Sequence, residues 1–228
     1  MPRPARSSTA TSAAASSSRD SGLRVVLILA RHGQSEANAA GLLLGRTDSA
    51  LTKLGVEQAG RIGSVLAAAE RPLPLRILTS PLARARLTAE IVSEALGPNA
   101  PAPEVEDRLI ELDYGELEGK RPSDLAGGVW ASWRADSTWR PPGGESFPDL
   151  HARLDPLWAS LADEAAEGDV IAVSHVSPIK AAVAWAIGAG PELAWRLSLG
   201  VAAITRISLS GPSPSLVSFG ETGHLAGL

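Results

Sequence analysis

The chain contains no cysteine. Disulfides, thiolate metal sites and cysteine nucleophiles are therefore excluded. Lysine is scarce and occurs only at Lys53, Lys120 and Lys180. Positive charge is in short supply as well. The first twenty residues, with three Arg and one Asp, carry +2 of a net −4, which leaves −6 for the remainder. Such a chain has no broad basic face, so no nucleic-acid partner is expected. No apolar run approaches the roughly 20 residues of a membrane span, so no membrane partner is expected either. After Met1, residues 2–21 hold no large apolar side chain. That composition predicts a disordered tail over residues 1–21, with the folded domain over 22–228. The tail also lacks the apolar core of a secretory signal, which points to the cytoplasm, although its Arg- and Ser-rich, acid-poor make-up leaves a transit peptide open. Aromatic residues are few (4%), and the six Trp all lie between 130 and 195.

What is present suits a globular enzyme-sized domain. The chain has 228 residues, 44% of them hydrophobic. A domain of this size buries roughly 70% of its unfolded surface. Val25 to Ala30 is an unalternated apolar run, the mark of a strand buried on both faces. Residues 39–49 form a loop, and Thr52 caps a helix that runs to about Ala69. Arg76–Thr79 is a second strand. Ser80 and Pro81 start a helix that Gly97 ends. Glu104–Leu109 reads as a third strand, and 113–145 as a Gly-, Pro- and Trp-rich excursion. A helix follows from Ser146 to about Glu167, with a bend expected at Pro156. Asp169–Val173 is another buried strand. Helices over 178–187 and 192–197 and a closing pair of strands, 202–209 and 215–219, complete the chain. Strands alternating with helices predict a three-layer α/β/α sandwich with a mostly parallel sheet.

Polar clusters follow four of the apolar strands: Arg31, His32 and Gly33; Thr79, Ser80 and then Arg84; Glu111; Ser174 and His175. In a parallel sheet these strand ends converge on one crevice. Two Arg and two His around one point suit a dianionic phosphoryl group, which accepts several charge-assisted bonds. Neighbouring positive charge disfavours a protonated imidazole, which leaves a His neutral and nucleophilic. Glu111 is placed to supply a proton to a leaving oxygen. His32 and Glu36 are four apart, but there is no His-Glu-x-x-His and no Cys, so no metal and no cofactor is expected.

The stretches RHGQSEAN (31–38), SPLARARLTAE (80–90), LIELDYGELEG (109–119), PGGES (142–146) and VSH (173–175), in that order, resemble the histidine phosphatase superfamily, the phosphoglycerate mutase-like enzymes. The resemblance spans about Arg24 to Leu228. It implies a phosphoglycerate mutase-like fold and hydrolysis of a small phosphorylated metabolite through a phosphohistidine. By resemblance His32 is the phospho-acceptor and Arg31, Arg84 and His175 are phosphate ligands. Glu111 is the proton donor and Asn38 a phosphate contact, and the amides of Gln34 and Ser35 are further candidate substrate contacts read from the residues themselves. The alternative is that Gln34 and Ser35 only stabilise the turn and Asn38 caps a helix. Three departures favour a phosphatase over a mutase. Val176 stands where the family often has Gly, Leu112 where the mutases carry Arg, and the excursion is short and lacks their paired Arg. Mutase-type phosphoryl transfer remains one alternative, and a non-catalytic module that binds phosphorylated ligands is another. A homodimer is left open. Arg86 reads as solvated, His151 as surface, and His224 as either near the pocket mouth or inert. Trp130, Trp133 and Trp139 either line the substrate entrance or form a small satellite core.

Overall fold

The structure, a computed structural model, describes residues 26–125, 127–164 and 168–228. The expected tail over 1–21 lies outside them. Strand β1 (Val26–Arg31) is followed by a single turn, α1 (Glu36–Ala39), and by α2 (Lys53–Ala67). Next come β2 (Arg76–Thr79), α3 (Ala83–Leu96) and β3 (Pro103–Val105). Helices α4 (Gly127–Ala135) and α5 (Phe147–Glu164) precede β4 (Val170–Ser174) and α6 (Val176–Ile187). Strands β5 (Ile204–Ser208) and β6 (Ser215–Glu221) finish the sheet. The strand order is β3-β2-β4-β1-β5-β6. The first four run parallel, and β5 and β6 are antiparallel additions on the β1 side.

The unalternated apolar strands explain the layering. In β1, Leu27 and Leu29 enter one core while Val26, Ile28 and Ala30 enter the other. In β4, Val170 and Ala172 divide from Ile171 and Val173 in the same way. Helices α5 and α6 cover the first face with Leu150, Leu154, Trp158 and Ile179. Helices α2 and α3 cover the second with Ile62, Leu66, Ala89 and Val92. Both faces of a parallel sheet need such cover, because each strand presents apolar side chains alternately to each side.

Several boundaries differ from the sequence reading, each for a local reason. The third strand stops at Val105 rather than Leu109. Glu106 accepts from the backbone N–H of Arg108 and tightens Asp107–Leu109 into a 3₁₀ turn. The second long helix begins at Ala83 and has no side-chain cap, because its N-cap residue is the apolar Leu82, whose own N–H donates to Ser80 Oγ at 3.4 Å. Helix α6 starts at Val176, two residues before Pro178. The short helix after it is a 3₁₀ turn, Pro191–Arg196. Thr52 caps α2 as expected, accepting from Gly55 N–H at 3.0 Å. Pro156 lies inside α5 without ending it.

The loop after β1 lies directly on the first turn of α2. A Cβ on Gly33 would stand 2.1 Å from the Gly55 carbonyl oxygen, and a Cβ on Gly55 2.0 Å from that of Gln34. Both opposing atoms are backbone and do not swing aside. Gly55→Ala is therefore expected to cost about 1–3 kcal/mol through overpacking. Gly60→Ala, in the same helix with nothing near its Cβ position, should be stabilising by up to about 1 kcal/mol. Thermal melts of the two variants check this, and shifts of the same sign and size would refute the close-approach account.

Candidate active site

The carboxyl ends of β1, β4 and β2 lie side by side, with Arg31 opposite Ser174 and Thr79 opposite Val173. Backbone bonds continue the ladder past the strands. His32 N–H donates to Ser174 O and Ser80 N–H to Val173 O, both at 3.0 Å. Ser174 Oγ donates to Leu109 O at 2.7 Å, which ties the segment before Glu111 to β4. Ala202, the one non-glycine among the described residues with a positive φ (54°), donates its N–H to His32 O. Its own carbonyl lies 3.0 Å from His224 Nε2, which gives His224 a place behind His32.

These bonds bring Arg31, His32, Arg84, Glu111 and His175 together, as the strand-end argument expects. The two imidazoles are buried, with ring centroids 5.0 Å apart and planes inclined by 60°. His32 Nδ1 lies 2.7 Å from Gly33 O. A carbonyl only accepts, so Nδ1 carries the hydrogen and the neutral ring keeps its lone pair on Nε2. Burial, then Arg31, then Arg84 hold the His32 imidazole well below its ordinary pKa. Burial, His32 and the same two guanidiniums do so for His175.

Arg84 is almost wholly buried and donates to Thr47 O at 2.9 Å and Gly45 O at 2.6 Å. Arg31 donates to Leu199 O at 2.7 Å. Burial pulls both guanidinium pKa values down, and Glu111 opposes this in each case. Arg31 Nε, Arg84 Nε and His175 Nδ1 are buried atoms with no hydrogen-bond partner.

Glu111 sits at the N-terminus of α6. Its Oε1 accepts from Leu112 N–H at 2.7 Å and Ser177 N–H at 3.1 Å, and its Oε2 from Val176 N–H at 3.1 Å. A carboxylate here meets both the orphan donors and the positive end of the helix dipole. Arg153, on α5, holds the approach to Glu111. It donates to the carbonyls of Arg108, Ile110 and Glu111 and pairs with Glu145 at 2.8 Å.

Gln34, Ser35 and Asn38 are occupied in holding the loop. Gln34 Oε1 accepts from Thr52 Oγ1, and Ser35 and Asn38 form a reciprocal cap on α1. In that cap Asn38 uses its carboxamide oxygen, which leaves its amide nitrogen as the donor for a ligand. Arg86 is exposed, and His151 is half-buried beside Asp155. Two contributors were not singled out from the sequence as parts of the site. Ser80 Oγ lies 2.7 Å from His175 Nε2, although its position suggested a helix cap. Arg153 lies on a helix face with no motif around it. The signal for Ser80 was available, since it ends β2 as His32 follows β1. Among the described residues no three His, Asp or Glu side chains are grouped to hold a metal ion.

A sequence model of the histidine phosphatase superfamily (branch 1) matches residues 27–222. The chain belongs to the histidine phosphatase superfamily. Within that superfamily it is 32% identical over 203 residues to a bifunctional protein of Mycobacterium tuberculosis, across 87% of this chain and 54% of that protein. This chain thus spans about half the length of that relative. It is 40% identical over 138 residues to a 2,3-bisphosphoglycerate-dependent phosphoglycerate mutase of Sinorhizobium fredii, covering 58% of this chain and 64% of the mutase. A mycobacterial glucosyl-3-phosphoglycerate phosphatase, solved as a complex with VO3, matches with a TM-score of 0.77 at 30% identity, over 87% of this chain and all of that one.

The depressed imidazoles have a consequence for stability. Unfolded, each His takes up a proton near pH 6.5. Folded, His32 and His175 do so only at lower pH. Below about pH 6.5 the unfolded chain therefore holds more protons, and stability falls as pH falls, by up to about 1.4 kcal/mol per pH unit for each ring. Unfolding free energies measured between pH 7.5 and pH 5 should decline steeply in the native protein and clearly less in a His32→Gln, His175→Gln double variant. Equal slopes would show that the rings are not kept neutral by the fold.

Proposed function

We propose that the protein hydrolyses a phosphomonoester through a phosphohistidine on His32. One observation carries the reading. A neutral imidazole with its Nε2 lone pair unused stands beside two guanidiniums and a second imidazole, each with one buried nitrogen that lacks a protein partner: Arg31 Nε, Arg84 Nε and His175 Nδ1. Unpaired buried donors each cost about 1–3 kcal/mol, and an oxyanion with three acceptor oxygens would satisfy them together. Complexes of the similar mycobacterial phosphatase with VO3 and with inorganic phosphate support the same use of the site.

In the proposed reaction His32 Nε2 attacks phosphorus in line, the P–N bond forms and the ester P–O bond breaks. Arg31, Arg84 and His175 neutralise the charge on the equatorial oxygens. Ser80 Oγ accepts from Leu82 N–H, so its own hydrogen is available to His175 Nε2. In the proposed reaction Ser80 gives that hydrogen to Nε2, and the His175 ring hydrogen sits on Nδ1 as a donor to phosphate. Asn38 adds its amide nitrogen. Glu111 protonates the departing alkoxide. Both lone-pair positions of its Oε1 and one of Oε2 are taken by backbone N–H groups, and the remaining Oε2 position carries the proton. Glu111 then takes a proton from the incoming water, which attacks phosphorus, breaks the P–N bond and releases inorganic phosphate. The mutase-like relatives raise the alternative of returning the phosphoryl group to substrate. Leu112, where the mutases carry Arg, is wholly buried in the apolar core and reaches no ligand, which favours water as acceptor.

His32→Ala should abolish turnover and the acid-labile phosphoenzyme while the melting transition persists. Glu111→Gln tests the proton. It should slow alkyl phosphates by about 10²–10⁴-fold and p-nitrophenyl phosphate far less, since nitrophenolate leaves without help. Equal losses on the two ester types would remove Glu111 from the proton-donor role.

A further inference from the structure

Beside Glu111 lies an aromatic recess with ≈ 350 Å³ of empty space, part of it open to solvent. Its walls include Trp130, Trp133 and Trp195, and its polar lining is Tyr114, Ser177 and Lys180. The indoles of Trp130 and Trp133 are parallel within 5° at 6.1 Å, and Trp195 stands nearly perpendicular to both. Three flat, rigid faces around a recess suit a ring that presents C–H edges or a flat face, because such contacts bury much area at little entropy cost.

Two polar groups set a further requirement. Trp133 is 1% exposed, and its Nε1–H has no partner. Lys180 Nζ donates one bond, to Ala194 O at 2.9 Å, and has two further hydrogens to give. A buried donor without a partner favours a ligand that brings an acceptor.

The recess adjoins the Glu111 side of the phosphate site. Val176 and Ser177 line it, and their backbone N–H groups are those that hold Glu111. Tyr114 Oη lies 3.4 Å from Ser177 Oγ. Glu111, as proton donor, faces the leaving oxygen, so the carbon chain beyond that oxygen extends to this side. We infer that the recess receives the alcohol part of the substrate and selects a ring-bearing phosphomonoester that carries an oxygen acceptor such as a carboxylate. The inference rests on the phosphatase reading.

Three primary alkyl esters with similar leaving groups separate the contributions: ethyl phosphate, cyclohexylmethyl phosphate and 4-carboxycyclohexylmethyl phosphate. The native enzyme should prefer the cyclohexylmethyl over the ethyl ester in kcat/KM by at least about 10-fold, the scale of apolar-pocket discrimination, and should prefer the carboxylated ring further. Trp130→Ala, and independently Ala194→Leu, which fills the recess, should each reduce the ring-to-ethyl ratio by at least about fivefold. Lys180→Met should remove the added preference for the carboxylate. Binding of cyclohexylmethylphosphonate, followed by tryptophan fluorescence, gives a readout without turnover. Ethyl phosphate hydrolysed as well as the ring esters, with no Trp130 dependence, overturns the recess assignment and leaves the phosphatase reading intact. Trp130-dependent phosphonate binding with no hydrolysis of any ester supports the recess and overturns the phosphatase reading.

Discussion

Two guanidinium groups and two imidazoles crowded away from water set the terms for the rest of this structure. Burial disfavours a charged ring, and the neighbouring guanidiniums add to this, so the imidazoles, which alone can give up their charge, stay neutral. The arginines keep theirs and are held by the carbonyls of Gly45, Thr47 and Leu199. Neutrality is what the proposed nucleophile His32 requires, and retained charge is what the proposed phosphate ligands Arg31 and Arg84 require. Both properties come from one packing arrangement.

Glu111 links that arrangement to the scaffold. It is the acidic residue that opposes the effect of burial at both Arg31 and Arg84, and it accepts from the first backbone N–H groups of α6. Arg153 fixes the carbonyls leading to it, and Ser174 fixes the segment before that. The nucleophile's loop is held as firmly, since Gly33 and Gly55 allow backbone to lie on backbone. The groups proposed to meet a phosphoryl centre are thus carried by segments that backbone and side-chain hydrogen bonds fix to the sheet.

The Trp-rich excursion answers a different need. Trp133 is buried among Trp130, Trp139, Phe147 and Trp195 and extends the core on the α5 and α6 side. All of these rings except Trp139 wall the recess beside Glu111. The satellite-core reading of these tryptophans describes how Trp133 packs, and the substrate-lining reading belongs to the proposal for the recess walled by Trp130 and Trp133.

The order of buried strands, and hence the layered fold, was legible in the chain because unalternated apolar runs have few other homes. Arg31, His32, Arg84, Glu111 and His175 were legible as candidates because each follows such a run in sequence. Charge and composition decided what the protein does not resemble. Tertiary structure alone decided which atoms meet. Ser80 looked like a cap until β4 placed His175 beside it, and only the folded loop shows that the side-chain oxygens of Asn38 and Gln34 are taken up while the Asn38 amide nitrogen is left over. Arg153 had no signal, because its partners lie about forty residues away and one side chain on a helix says nothing about the carbonyls it will face. Hydrophobic pattern is written locally and survives in the sequence, whereas a hydrogen bond between distant segments depends on where the fold brings them.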